Sequence, residues 1–208
     1  MRIDDYKSFL KFIKSLDKKP KLLLHACCAP CSSHCIMVLK KYFDITIFYS
    51  NDNIYPKEEF DYRLDEINRF MKDLNLGIPV LSDGYNSLDY DNIVKGYEAL
   101  GEKSQRCYKC YLLRLEKTAI KAKELGYDYF STTLSISPYK ISRWINEIGY
   151  NLEEKYQIPY LFSDFKKEDG YKDSIKLSEQ YHLYRQDYCG CKYSLKERDL
   201  KNEGKLWL

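Results

Sequence analysis

Eight cysteines carry whatever chemistry this chain performs, because they fall into groups: Cys27, Cys28, Cys31 and Cys35, then Cys107 and Cys110, then Cys189 and Cys191. Thiols in a reducing compartment rarely form structural disulfides, so grouped thiols there point to metal binding or redox work. Cys107-x-x-Cys110 sets two thiolates on one helical turn, a spacing shared by zinc sites, redox disulfides and iron–sulfur clusters. Arg106 and Lys109 interleave with that pair, and their charge favours thiolate. Adjacent Cys27 and Cys28 have diverging side chains at a strand end, so they serve different bonds or reach one centre from two sides. The two pairs together give four thiolates, which suits zinc or a [4Fe–4S] cube. Cys31, Cys189 and Cys191 exceed what one closed four-ligand site needs, which suggests a second centre. Asp187 stands just before the turn Cys189-Gly190-Cys191, so that turn offers two thiolates and a carboxylate to a metal with an open position. Isolated Cys35 reads as a buried structural thiol. His25 reads as a neighbour of the ligands rather than a ligand, and His34 and His182 lack paired spacing.

The elements that must position these thiols follow from the apolar pattern. Ile3 to Leu16 has helical spacing closed by Pro20. Lys21 to Ala26 is a short apolar run that fills a central parallel strand and ends at Cys27. Pro30, Ser32 and Ser33 start a helix that leads to a second strand, Asp44 to Tyr49. Pro56, Glu58 and Glu59 open a helix through Leu74, stopped by Gly77, before a strand at Ile78 to Leu81. A helix from Asn86 or Ser87 to about Leu100, a long helix from Cys107 to Leu125 and a strand from Asp128 to Thr132 come next. Lys140 to Tyr150 is expected to be helical, and Tyr160 to Phe162 a last short strand. Strands alternating with helices predict a doubly wound α/β fold, with a mainly parallel sheet and helices on both faces. Residues 1–208 are expected to form one domain: a lead-in helix at 1–20, the sheet and its helices at 21–165, and helices with the cysteine turn at 166–208. In such sheets the ligand crevice lies beyond the carboxyl ends of the strands, where the first thiols fall.

Composition narrows the remaining options. The 34 basic and 31 acidic side chains leave a formal charge of +3, which permits contact with nucleic acid without demanding it. No apolar run is long enough to span a bilayer, and the first residues do not read as a secretory signal, so the cytoplasm is the expected location. Neither a P-loop nor a dinucleotide fingerprint is present, so no nucleotide cofactor is implied.

Four ordered motifs, His25-Ala-Cys-Cys-Ala-Pro-Cys-Ser-Ser33, Arg106-Cys-x-x-Cys-Tyr-x-Leu-Arg-Leu115, Thr132-Thr-Leu-x-x-Ser-Pro-Tyr-Lys140 and Tyr184-Arg-Gln-Asp-Tyr-Cys-Gly-Cys191, together resemble the cobalamin-independent epoxyqueuosine reductase family. The resemblance runs from about Lys21 to Ser194. It implies a fold of the HUP type and reduction of epoxyqueuosine in tRNA to queuosine, with loss of the epoxide oxygen to leave a cyclopentene. It also implies a [4Fe–4S] cluster beside a mononuclear iron. Carried over by motif, Cys27, Cys28, Cys107 and Cys110 are the expected cluster ligands, and Asp187, Cys189 and Cys191 the expected ligands of the second metal, with Cys31 nearby. One departure stands at Ser50-Asn-Asp-Asn-Ile54, where Asp52 replaces an expected proline.

Removing an epoxide oxygen takes two electrons, protons and an acid; side chains supply no electrons, but a cluster does. Tyr188, or a water held by Asp187, is the expected proton donor. Thr132, Thr133, Ser135, Ser137 and Lys140 are expected to bind the modified base or a neighbouring phosphate, with Arg143, Arg185 and Lys192 extending the rim. The expected partners are tRNA carrying epoxyqueuosine and an unidentified reductant protein. The rivals are a zinc-stabilised RNA-binding module and a sulfur-transfer enzyme acting on tRNA.

Overall fold

Leu22, Leu23 and Leu24 are all wholly buried although they are consecutive, which a strand achieves only with packing on both of its faces. They belong to β1 (Lys21–His25), in the interior of a parallel sheet with β2 (Asp44–Tyr49), β3 (Val80–Ser82) and β4 (Tyr129–Thr132). The strand order is β3-β2-β1-β4, with Leu23 opposite Thr46 on one side and Phe130 on the other. The computed structural model describes residues 2–204; Met1 and residues 205–208 of the expected domain lie outside the described residues.

Alternation across the sheet sorts the core into two layers. Leu22, Leu24, Ile45, Ile47 and Tyr49 pack with α1 (Tyr6–Lys14), α2 (Ala29–Leu39) and α3 (Lys57–Leu74). Leu23, Phe48 and Phe130 pack with α5 (Gln105–Glu124) and α6 (Ser142–Tyr156) on the other face. Between these stand α4 (Ser87–Ile93), and after them α7 (Gly170–Gln180) and α8 (Lys192–Asn202). The doubly wound α/β expectation therefore holds.

Three elements depart most from the expectation, and β3 and α5 shift by one or two residues at their ends. The helix expected to reach Leu100 stops at Ile93, because Gly96 at φ 84° turns the chain into a left-handed conformation that a helix does not accept. The last strand is reduced to one parallel bridge, Phe130 to Tyr160. The helix expected from Lys140 begins at Ser142 and runs on to Tyr156, ended by left-handed Gln157. Strand order reverses between β1 and β4, so the crevice opens above the carboxyl ends of these two strands.

Candidate metal centre and substrate cleft

All three thiol groups used by the sequence reading sit at helix N-termini. Cys28 occupies the N-cap position of α2, Cys107 lies in the first turn of α5, and Cys191 caps α8, its Sγ accepting from the Ser194 amide at 3.4 Å. Helix starts leave amide donors unpaired and carry partial positive charge, which favours thiolate over thiol. Short strand-to-helix connections produce this placement: β1 ends at His25, and the helix starts at Ala29 with Pro30 in its first turn.

Cys27, Cys28 and Cys31 form the tightest group, their sulfurs all within 4.8 Å and Cys27 Sγ 3.8 Å from Cys28 Sγ. Hydrogen bonds from Cys28 and Cys31 hold Cys27 well below the ordinary thiol range, while the same Cys27 contact pushes Cys28 up to about 12 and Cys31 well up. Gln186 reaches back from the C-terminal segment to donate to Cys28 Sγ at 3.1 Å.

Cys107, Cys110, Cys189 and Cys191 form a second, wider group. Burial, and then the charges of Cys189, Cys191 and Cys107 behind it, push Cys110 up to about 12; burial and Cys189 also raise Cys107. Cys110 and Cys191 share a small apolar cluster with Tyr90 and Val94. The Lys140 ammonium donates to Cys189 Sγ at 3.4 Å.

Sequence reasoning missed the cations behind these thiols. Arg63 is 1% exposed, and its Nε donates to Glu59 at 2.7 Å while Nη1 and Nη2 have no partner. Arg114 is 2% exposed, donates from Nε to the Cys110 carbonyl at 3.3 Å, and leaves Nη2 without a partner. Burial opposes the charge of each, and neighbours that can carry negative charge offset it: Cys28, Glu59 and Cys27 around Arg63, and Cys110, Cys27 and Cys189 around Arg114. The signal was present in the sequence. Arg63 lies between Phe60 and Ile67, and Arg114 between Tyr111 and Thr118, on the stripes that face the interior. A buried guanidinium with vacant donors fits a strongly anionic neighbour such as a thiolate- and sulfide-bearing centre.

His25 is neutral and structural. Its Nε2 meets the Ser50 carbonyl at 3.1 Å and its Nδ1 meets Thr132 Oγ1 at 2.9 Å. A carbonyl only accepts, so Nε2 carries the hydrogen and Nδ1 accepts from the threonine. Burial and then the Arg114 charge lower its pKa to about 4. Cys35 is wholly buried and donates to the Cys31 carbonyl at 3.2 Å.

A cleft of about 360 Å³ opens over the thiols, with Cys27, Cys31, Cys107 and Cys189 in its wall. Ser137, Lys140, Arg185, Asp187 and Tyr188 line it as well. Thr132, Thr133 and Ser135 do not: all three are wholly buried. Thr132 is held between His25 and the Leu134 amide, and Ser135 accepts from the Phe165 amide. The chain turns into a 3-10 helix at Leu134–Ile136 as it leaves β4, which keeps these hydroxyls inside. Asp187 is 61% exposed and its Oδ1 accepts from Arg198 at 2.7 Å, rather than facing Cys189 and Cys191. The Tyr188 hydroxyl donates to the Tyr55 carbonyl at 2.6 Å, and burial, with Glu59 behind it, pushes its pKa up to about 12. Lys192 pairs with Asp91. Asp52, in the departing loop, is buried and paired with Lys117, which also meets Asp89.

A parallel α/β sheet with grouped thiols and buried cations where its ligand crevice opens defines a protein that could hold a metal ion above the strand ends. Comparison with known proteins agrees in detail. The family model described as epoxyqueuosine reductase QueH matches residues 22–197, and the chain belongs to that family. The epoxyqueuosine reductase QueH of Streptococcus pyogenes serotype M1 is 42% identical over 182 residues, covering 86% of this chain and 71% of the relative. That of Thermotoga maritima is 36% identical over 187 residues, covering 87% and 93%. A solved structure of a predicted subunit of a tRNA methyltransferase from Methanocaldococcus jannaschii superposes with a TM-score of 0.53 at 16% identity, covering 88% of this chain and 89% of that one, which supports the fold alone.

Proposed function

We propose that this epoxyqueuosine reductase works through two iron centres held by seven thiols, and that its cleft takes one modified nucleotide from tRNA. The spacing of the sulfurs is the observation that carries the reading. Thiolates about 2.3 Å from a tetrahedral ion stand about 3.8 Å apart, which matches the 3.8 Å between Cys27 and Cys28. The close trio Cys27, Cys28 and Cys31 thus suits a single metal ion with a fourth position open. A cube of irons and sulfides holds its thiolates farther apart, which suits the wider set Cys107, Cys110, Cys189 and Cys191. This exchanges partners relative to the sequence expectation, which gave Cys27 and Cys28 to the cluster and the 189–191 turn, with Asp187, to the second metal. When bound, a [4Fe–4S] cluster supplies electrons one at a time, and a single iron with an open position polarises the epoxide oxygen.

The protein's own residues do the rest. Ser137, Lys140 and Arg185 on the cleft wall bind the modified base, and Tyr139, 64% exposed with Lys103 above its ring at 6.0 Å, stands at the rim where a neighbouring base can stack. Lys201 and Arg198 lie in the same wall and meet phosphate. The oxygen departs as water after taking up two protons and two electrons. Tyr188 is a poor donor for these protons, since its hydroxyl is committed to Tyr55. Asp187, held by Arg198 at the cleft, orients the water that delivers them. A reductant protein supplies the electrons, and the reaction takes place in the cytosol with its tRNA.

Among the described residues no helix is long and apolar enough to cross a membrane. The test is anaerobic purification with counting of iron and sulfide, followed by mass spectrometry of the modified base after incubation with a reductant and no ATP. Five irons with four sulfides per chain and ATP-independent loss of one oxygen are expected. A colourless protein holding one zinc would sink the two-centre reading.

A further inference from the structure

A charge is retained in a protein interior only where an opposite charge or a complete set of hydrogen bonds meets it. Arg114 has neither from ordinary side chains. Its Nε donates to the Cys110 carbonyl, its Nη1 reaches Asn51 Oδ1 only at 3.5 Å, and its Nη2 has no partner. The thiols among its ionisable neighbours are Cys110, Cys27 and Cys189, so it stands between the two thiol groups. Asn51 completes the link, donating from Nδ2 to the Ala26 carbonyl at 2.8 Å, one residue before Cys27. Arg63, whose Nε is paired with Glu59, leaves both of its Nη groups vacant on the other side. Its vacant Nη1 lies against the 189–191 turn, so close that a side chain at Gly190 would sit 3.1 Å away.

We propose that Arg114 is a shared counter-charge of the two thiol groups, behind the Lys140 ammonium that meets Cys189, and tunes the potential at which the centres accept an electron, with Arg63 as a second, weaker contributor. Taking up one electron adds one negative charge, and a fixed positive charge in a water-poor interior favours that addition. Arg114 acts through the centre and not on substrate, so it is a positioning residue. The proposal rests on the iron–sulfur reading above, and iron and sulfide counts on the wild-type protein test that reading separately.

The experiment is a redox titration of the loaded enzyme, followed by electron paramagnetic resonance, for wild type, Arg114→Gln and Arg114→Lys. With iron and sulfide content matched, Arg114→Gln is expected to make uptake of one electron at least tenfold less favourable, a potential about 59 mV more negative. Arg114→Lys keeps the charge and is expected to return most of that shift. An unchanged potential in a fully loaded Arg114→Gln overturns the proposal. Where Arg114→Gln does not load, Arg63→Gln carries the same measurement, with a smaller shift of the same sign expected and no shift overturning it. Thermal unfolding of the metal-free chain adds an independent readout. Loss of an uncompensated buried charge leaves the Tm of metal-free Arg114→Gln unchanged or raised, whereas a fall as large as that of the loaded form means that Arg114 is only a packing residue.

Discussion

The two thiol groups are built by different means. Cys27, Cys28 and Cys31 come from one continuous stretch of chain, the end of β1 and the first turn of α2, so local geometry alone brings their sulfurs within 4.8 Å. Cys107 and Cys110 meet Cys189 and Cys191 only because α5 and the C-terminal turn are packed together, and no sulfur trio there is as tight. A group made locally survives loosening of the tertiary fold, while a group made by closure does not. The cations mirror this difference, since Arg114 contacts the Cys110 backbone and reaches toward Cys27 through Asn51.

The most damaging change is expected at the wider group. Cys110→Ser or Cys107→Ser removes a soft ligand and substitutes a hard hydroxyl, so the visible cluster absorbance and all turnover are lost; retention of four irons and four sulfides in both variants would exclude them as ligands. Cys31→Ser attacks the local group and leaves the other alone. One iron per chain is then lost while four and their sulfides stay, and turnover falls steeply; loss of the cluster instead would return Cys27 and Cys28 to it, as the sequence division had them. Gly190→Ala is expected to act only on the closure. Gly190 has φ 121° and a side chain there would meet Arg63 and Ile54 at 3.1 and 3.3 Å, so cluster loading falls while the single iron persists, read by Mössbauer spectroscopy. Asp187→Asn is expected to leave all five irons in place and lower kcat severalfold; a missing fifth iron would make Asp187 a ligand after all. Cys35→Ala has the smallest effect. Activity and iron content are retained, with stability reduced by about 1 kcal/mol for a lost buried sulfur and its weak hydrogen bond, as chemical denaturation would show.

How much of this was legible depended on whether a signal is local. The apolar run before Cys27 and the long pattern from Cys107 place β1 and α5 within a residue or two of their positions, because strand burial and helix periodicity are set by nearby residues. The thiol groups were legible as groups for the same reason. The sequence alone leaves their division between centres open, since the approach of Cys110 to Cys191 depends on how the C-terminal segment folds back. For Thr132 and Ser135, position after a strand end gives an address but not a direction, and their hydroxyls turn inward. Arg63 and Arg114 went unread although a charged residue on an interior stripe is a visible anomaly. Asp52 shows a departure compensated elsewhere, its carboxylate being met by Lys117 from α5.

The hydrogen bond from Gln186 to Cys28 joins residues 158 positions apart, and it has a consequence for the order of events during synthesis. The three thiols at the start of α2 leave the ribosome while most of the chain is still unmade, with β1 already able to pair with β2. The partners of Cys107 and Cys110 in the wider group, Cys189 and Cys191, emerge well after them. Iron can therefore be offered to the first group before the wider group exists, and a chain interrupted between the two leaves the early thiols open to oxidation.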